Sequence, residues 1–186
     1  DNLALPTNMA LNDEGIFYVA NVGTGKIVQM DRDGHVLNAL GTMGDGFGQF
    51  GRPKGVAIDN ERRLYAVDAA HQNVQMFNDA GRLLMFFGSP GLPEGSLNLP
   101  AGLDVTSKGL EYYQQLAEPD FTLEQVIVVV SQVGKHKVNV YGLGRKANVN
   151  YEAYYRETKE LHRRAAEREA KKQEEAKEAE EERKKK

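Results

Sequence analysis

The chain has 186 residues, 24 Lys and Arg against 27 Asp and Glu, a formal net charge of -3 and no cysteine. That balance excludes a nucleic-acid coat or a membrane-surface binder acting by bulk charge, and the missing thiols exclude disulfides, zinc knuckles, thiol catalysis and covalent haem attachment within these residues. No apolar run approaches the roughly 18 residues that a transmembrane helix needs.

Composition divides the sequence. Residues 1–144 hold nearly all the Gly and Pro, whereas 151–186 hold neither and carry 12 basic against 11 acidic side chains, leaving the first 150 residues at net -4. The expected organisation is a folded domain over 1–144, a linker over 145–150 and a charged helical tail over 151–186. The sequence opens on Asp1 rather than Met, so a signal or anchor is expected, if the protein has one, upstream of it.

The N-terminal part repeats. A shift of 47 residues superposes Pro6 on Pro53, Ala10 on Ala57, Tyr18 on Tyr65, Gly34 on Gly81 and Gly41 on Gly88 without a gap, and Pro53 on Pro100 continues it. Copies therefore span about 3–49, 50–96 and 97–144. Within the second copy the apolar runs Gly55–Asp59, Arg63–Asp68, Asn73–Asn78 and Arg82–Phe87 are short and punctuated by Asp, Asn and Gly, so they are predicted as strands. Asp33-Gly34 and Asp79-Ala80-Gly81 place Gly where a tight turn takes positive φ. Four short antiparallel strands per 40–50 residues predict an all-β fold of propeller blades.

The segments Phe50-Gly-Arg-Pro53-Lys-Gly55-Val-Ala57-Ile-Asp59, Leu64-Tyr65-Ala-Val67-Asp68 and Val74-Gln-Met-Phe77-Asn78-Asp-Ala-Gly81 closely resemble the NHL repeat. The first copy matches more loosely, through Leu5–Ala10 and Tyr18–Asn21, and the third through Leu99–Leu103, Ile127–Ser131 and Val138–Tyr141. The resemblance implies a six-bladed ring serving as a binding platform or sensor or, less often, as a lyase or hydrolase. Three copies make half a ring, and the third has no counterpart of Leu83–Phe87. About three further blades and a closing strand are therefore expected from upstream sequence, with a dimer of half-rings as the alternative.

The third copy departs from the repeat by a 16-residue insertion within 107–124. Leu110, Tyr113 and Leu116-Ala117 lie at helical spacing and Pro119 ends the turn. Either this helix packs its apolar side on its own blade, or Tyr112, Tyr113, Leu116 and Phe121 form a docking surface for a partner. His71 and His136, in corresponding turns of copies two and three, are further candidates for an interaction surface; without HxH or HExxH spacing they are read as turn residues rather than metal ligands. Asp59 and Asp68, with Asn12 and Asn21 in matching places, are expected to cap turns, because a catalytic acid is needed once and a cap in every blade. The Gly-rich stretch Gly41–Gly51 lacks Gly-Lys-Ser/Thr and leads into a strand, so it is an inter-blade connection and not a phosphate loop. Lys26, Arg52, Lys54, Arg62 and Arg63 are dispersed, which argues against nucleic acid. No cofactor, metal or catalytic residue is expected.

In the tail, Glu160–Arg164, Glu167–Lys171 and Glu180–Lys184 sit at i,i+4. Tyr151, Tyr154, Tyr155 and Leu161 give its start an apolar side, and beyond Leu161 no heptad core exists for a coiled coil. The sequence reading is thus a non-catalytic scaffold propeller that binds a protein or ligand, with a propeller enzyme carrying an axial metal as the alternative. By resemblance alone, its setting would be periplasmic or extracellular in a bacterium and its partners envelope or multihaem-cytochrome assemblies.

Overall fold

The computed structural model describes residues 3–90, 95–153, 156, 160, 163 and 164. Two compact units divide at Arg145. The first begins with β1 (Pro6–Leu11), β2 (Phe17–Asn21), β3 (Lys26–Met30) and β4 (Val36–Leu40). A second set follows as β5 (Pro53–Ile58), β6 (Leu64–Asp68), β7 (Asn73–Phe77) and β8 (Leu83–Phe87). Each set forms a four-stranded antiparallel meander in chain order. The third sheet comprises β9 (Pro100–Thr106), β10 (Phe121–Ser131) and β11 (Val138–Lys146), with α1 (Leu110–Gln114) between its first two strands.

Local chemistry explains the repeat. Gly34 and Gly81 adopt φ 88° and 73° in the turns that join third to fourth strands. Asn12 Oδ1 accepts the Glu14 and Ile16 N–H groups at 3.1 and 2.8 Å, and Asp59 Oδ1 does the same for Glu61 and Arg63 at 2.9 Å each. These are the expected turn caps. The residue closing each second strand makes a longer clasp, reaching back to the chain ahead of the first strand. Asn21 Oδ1 accepts from Ala4 N–H at 2.9 Å, Asp68 from Gly51 and Arg52 at 2.7 and 3.0 Å, and Ser131 Oγ from Asn98 at 3.1 Å. Ala4, Gly51 and Asn98 stand 47 residues apart, so one clasp recurs in three sheets.

Packing alternates by strand face. Tyr18, Ala20 and Ile27 of the first sheet meet Val56, Leu64, Ala66 and Phe77 of the second in one buried cluster. The other face of the second sheet, Tyr65, Val67, Val74 and Met76, meets Ile127 and Val129 of the third. The second sheet is thereby covered on both faces. The first strands lie side by side: Thr7 Oγ1 donates to the Lys54 carbonyl at 2.9 Å and Val56 N–H to Asn8 Oδ1 at 3.1 Å. Within the second sheet, Tyr65 donates its phenol to Asp59 Oδ2 at 2.9 Å, and Arg63 Nε meets the same oxygen at 2.6 Å. Burial first, and then the Asp59 charge, push the Tyr65 phenol above its ordinary value.

The third sheet differs from expectation in length. Residues 121–124, expected as part of the insertion, continue β10, and residues 142–146 continue β11 into the stretch expected as a linker. A Cβ on Gly144 would lie 2.0 Å from the Thr122 carbonyl oxygen. The glycine there permits the close backbone approach that extends the ribbon.

In the second unit, Asn150 Oδ1 caps a helical turn at 151–153 through the Ala153 N–H at 3.0 Å. Glu160 pairs with Arg164 at 3.2 Å, as expected, and with Arg163 at 2.6 Å. The remainder of the expected tail, with Tyr154, Tyr155, Leu161 and the pairs beyond residue 164, lies outside the described residues. Among the described residues no helix is long and apolar enough to cross a membrane.

Candidate functional site

The insertion builds a groove. The helix α1 runs for five residues and ends well before Pro119. Gln114, its last residue, stitches the insertion to the strand that follows: Nε2 donates to the Phe121 carbonyl at 2.7 Å, and Oε1 accepts the Leu123 N–H at 2.8 Å. This clamp holds the helix over the extended end of β10 and β11. The space between them has a volume of about 730 Å³, lined by Tyr112, Tyr113, Leu116 and Phe121 together with Leu123, Val126, Val140 and Tyr141. Tyr113 is half-buried, and its ring meets that of Tyr112 edge-on at 5.2 Å. Tyr112 and Leu116 remain 66% and 72% exposed. The four aromatic and leucine residues singled out from sequence therefore share one surface.

The two histidines lie elsewhere. Turns between second and third strands sit at the opposite end of an antiparallel sheet from turns between first and second strands, so His71 and His136 are at the end away from α1. His136 is exposed. His71 is held between carboxylates, with Nδ1 3.1 Å from Asp68 Oδ2 and Nε2 3.1 Å from Asp45 Oδ1. Asp68 is fully buried and also accepts the Ala70 and His71 N–H groups, which accounts for its charge structurally.

Sequence reading missed two features. Tyr141 anchors β11, since its phenol bonds the Gly95 carbonyl while its ring meets Phe87 edge-on at 4.8 Å; burial raises its pKa. Partners 46 and 54 residues distant leave no local signal. Asp31, Asp33 and His35 bring ligand-type atoms within 4.8 Å of one another. Asp31 Oδ1 accepts the Asp33 and His35 N–H groups, and the bond from His35 is the leading influence that holds its carboxyl below the usual range. Asn78 caps the equivalent turn of the second sheet through Arg82 N–H, so the turn itself explains this cluster.

No family model matches the sequence, and no curated protein does. Solved structures do match. Hydrazine synthase of Kuenenia stuttgartiensis aligns over 78% of this chain and 36% of its own, with 12% identity and a TM-score of 0.54. Virginiamycin B lyase of Staphylococcus aureus aligns over 81% of this chain and 44% of its own, with 10% identity and a TM-score of 0.51. The chain thus spans less than half the length of either protein. At these identities the likeness concerns architecture, and it agrees with the repeated antiparallel four-stranded sheets: the fold is that of a β-propeller.

Proposed function

We propose that residues 3–144 are three blades of a closed, six-bladed ring of the NHL type, and that the ring is a non-catalytic platform for a protein partner in a bacterial envelope or extracellular assembly. The observation that carries the functional reading is the α1 groove. Features that recur in every sheet serve the fold, whereas this groove arises from the one long departure from a 47-residue repeat. Its α1 side leaves Tyr112 and Leu116 outside the blade cores, and these side chains suit the apolar contacts of a docked polypeptide, whereas Val140 at its floor belongs to the outward face of the third sheet.

The test is a photo-crosslinking residue at position 116, with a second at exposed Val36 as control, in the cells that make the protein. The expected result is one discrete polypeptide captured from position 116, absent from the control and lost when Tyr112→Ala is added. Capture of the same set from both positions, or persistence after Tyr112→Ala, contradicts the proposal.

A further inference from the structure

A second cavity, of about 260 Å³, lies at the other end of the second sheet, between the β4–β5 connection and the β6–β7 turn. Asp45, Phe47, His71, Asn73 and Phe86 line it, and no Lys or Arg is among its described lining residues. The Asp45 side chain is fully exposed, with His71 against one oxygen. Phe47 is 83% exposed and stacks on Phe86 with ring centres 5.7 Å apart. Asn73 Oδ1 is buried without a hydrogen-bond partner, so an acceptor here lacks a donor.

The connection that displays Asp45 and Phe47 is rigidly held. Buried Gln75 accepts the Gly48 N–H at 3.2 Å and donates to the Gln49 carbonyl at 2.7 Å, while Gln49 Oε1 accepts the Gly46 N–H at 2.8 Å. Holding an exposed phenylalanine in this way gives the core nothing. The repeat does not demand it either, because the positions 47 residues on are Leu92 and Glu94.

We infer that this cavity binds a guanidinium group. The Asp45 carboxylate offers acceptor oxygens to a planar fork of N–H donors, and the phenylalanine faces offer a surface on which a delocalised cation stacks. A primary ammonium would pair with Asp45 but could not stack as a plane. An anion would meet the Asp45 carboxylate with no Lys or Arg among the described lining residues. The guanidinium comes from an arginine side chain of a polypeptide or from a free small molecule.

The full chain, isotopically labelled, is titrated with N-acetyl-arginine amide while the backbone amide signals of Asp45, Gly46 and Phe47 are followed. The expected result is saturable shifts confined to this loop and the β6–β7 turn, with weaker binding of N-acetyl-lysine amide and none of N-acetyl-citrulline amide, its neutral counterpart. Asp45→Asn and Phe47→Ala should each weaken binding by about fivefold, the scale of one exposed cation–π or ion-pair contact, and leave the melting temperature unchanged. Tighter binding of an arginine-containing pentapeptide than of the amide would assign the site to a polypeptide, and equal binding to a small molecule. Citrulline binding as tight as arginine, shifts that survive both substitutions, or no saturable shift would overturn the inference.

Discussion

The second and third sheets carry apolar side chains at matching places in unlike surroundings. Tyr65, Val67, Val74 and Met76 form the face of the second sheet that meets the third, and they are 0, 0, 0 and 5% exposed. Val128, Val130, Val138 and Val140 occupy the corresponding places on the outward face of the third. Val128 is half-buried, while the other three are 46, 59 and 48% exposed. The difference lies in the neighbour, because the residue chemistry is alike. A blade of this repeat is written to be covered on both sides, and valines that fit a core are left half in water where no further sheet stands. This is the physical support for a larger ring.

The largest effect that sharpens the comparison comes from placing one charge at matched positions. Val67→Asp puts an unpaired carboxylate between two sheets and should cost about 4 kcal/mol or more, enough to abolish cooperative unfolding at room temperature. In the 186-residue chain Val130→Asp should cost no more than about 0.5 kcal/mol. Equal losses, read by chemical denaturation of the two variants, would break the comparison.

The clasps offer a second contrast. Asp68→Ala strips the acceptor from four backbone N–H groups and should cost about 3 kcal/mol, whereas Asn21→Ala and Ser131→Ala, which each lose a single clasp bond, should cost about 1 kcal/mol. Denaturant midpoints of the three variants check this ranking.

A smaller effect tests the buried phenol. Because the folded-state pKa of Tyr65 is raised, its contribution is fully present below about pH 10, where the unfolded phenol begins to ionise. It is lost as pH climbs through the folded value, the unfolded state then binding fewer protons. Stability should therefore fall above about pH 10. Tyr65→Phe should flatten that fall while costing about 1–2 kcal/mol at neutral pH. Melting curves from about pH 7 to about pH 11 decide it, and an unchanged alkaline slope in the variant would remove Tyr65 from the account.

The smallest effect concerns the groove. Tyr112→Ala and Leu116→Ala should each change stability by no more than about 0.5 kcal/mol, since both side chains stand mostly in water. A loss of about 2 kcal/mol, the scale of a buried side chain, would make the helix a structural element of its own blade.

Much of this was legible in the residues alone. The short apolar runs of the second copy placed its strands within about two residues, and Asn12, Asp59 and Asp68 cap turns because their chemistry is local. What sequence hid was distance and context. Gly144 lets two strands approach, which only its partner at Thr122 explains. The α1 groove was half legible, its residues visible through helical spacing and its shape fixed by the Gln114 clamp. The Asp45–His71 contact joins residues 26 apart through an inter-blade connection, and no periodicity announces such a pair.

The central claim is that the outward face of the third sheet belongs against another blade of one longer chain. Intact mass of the polypeptide purified from its native source, measured alongside light scattering, tests it most directly. The account predicts a monomer whose single chain is about twice as long as these 186 residues, enough for six blades of this repeat. A native chain of 186 residues, whether alone or paired with a second copy, would contradict it.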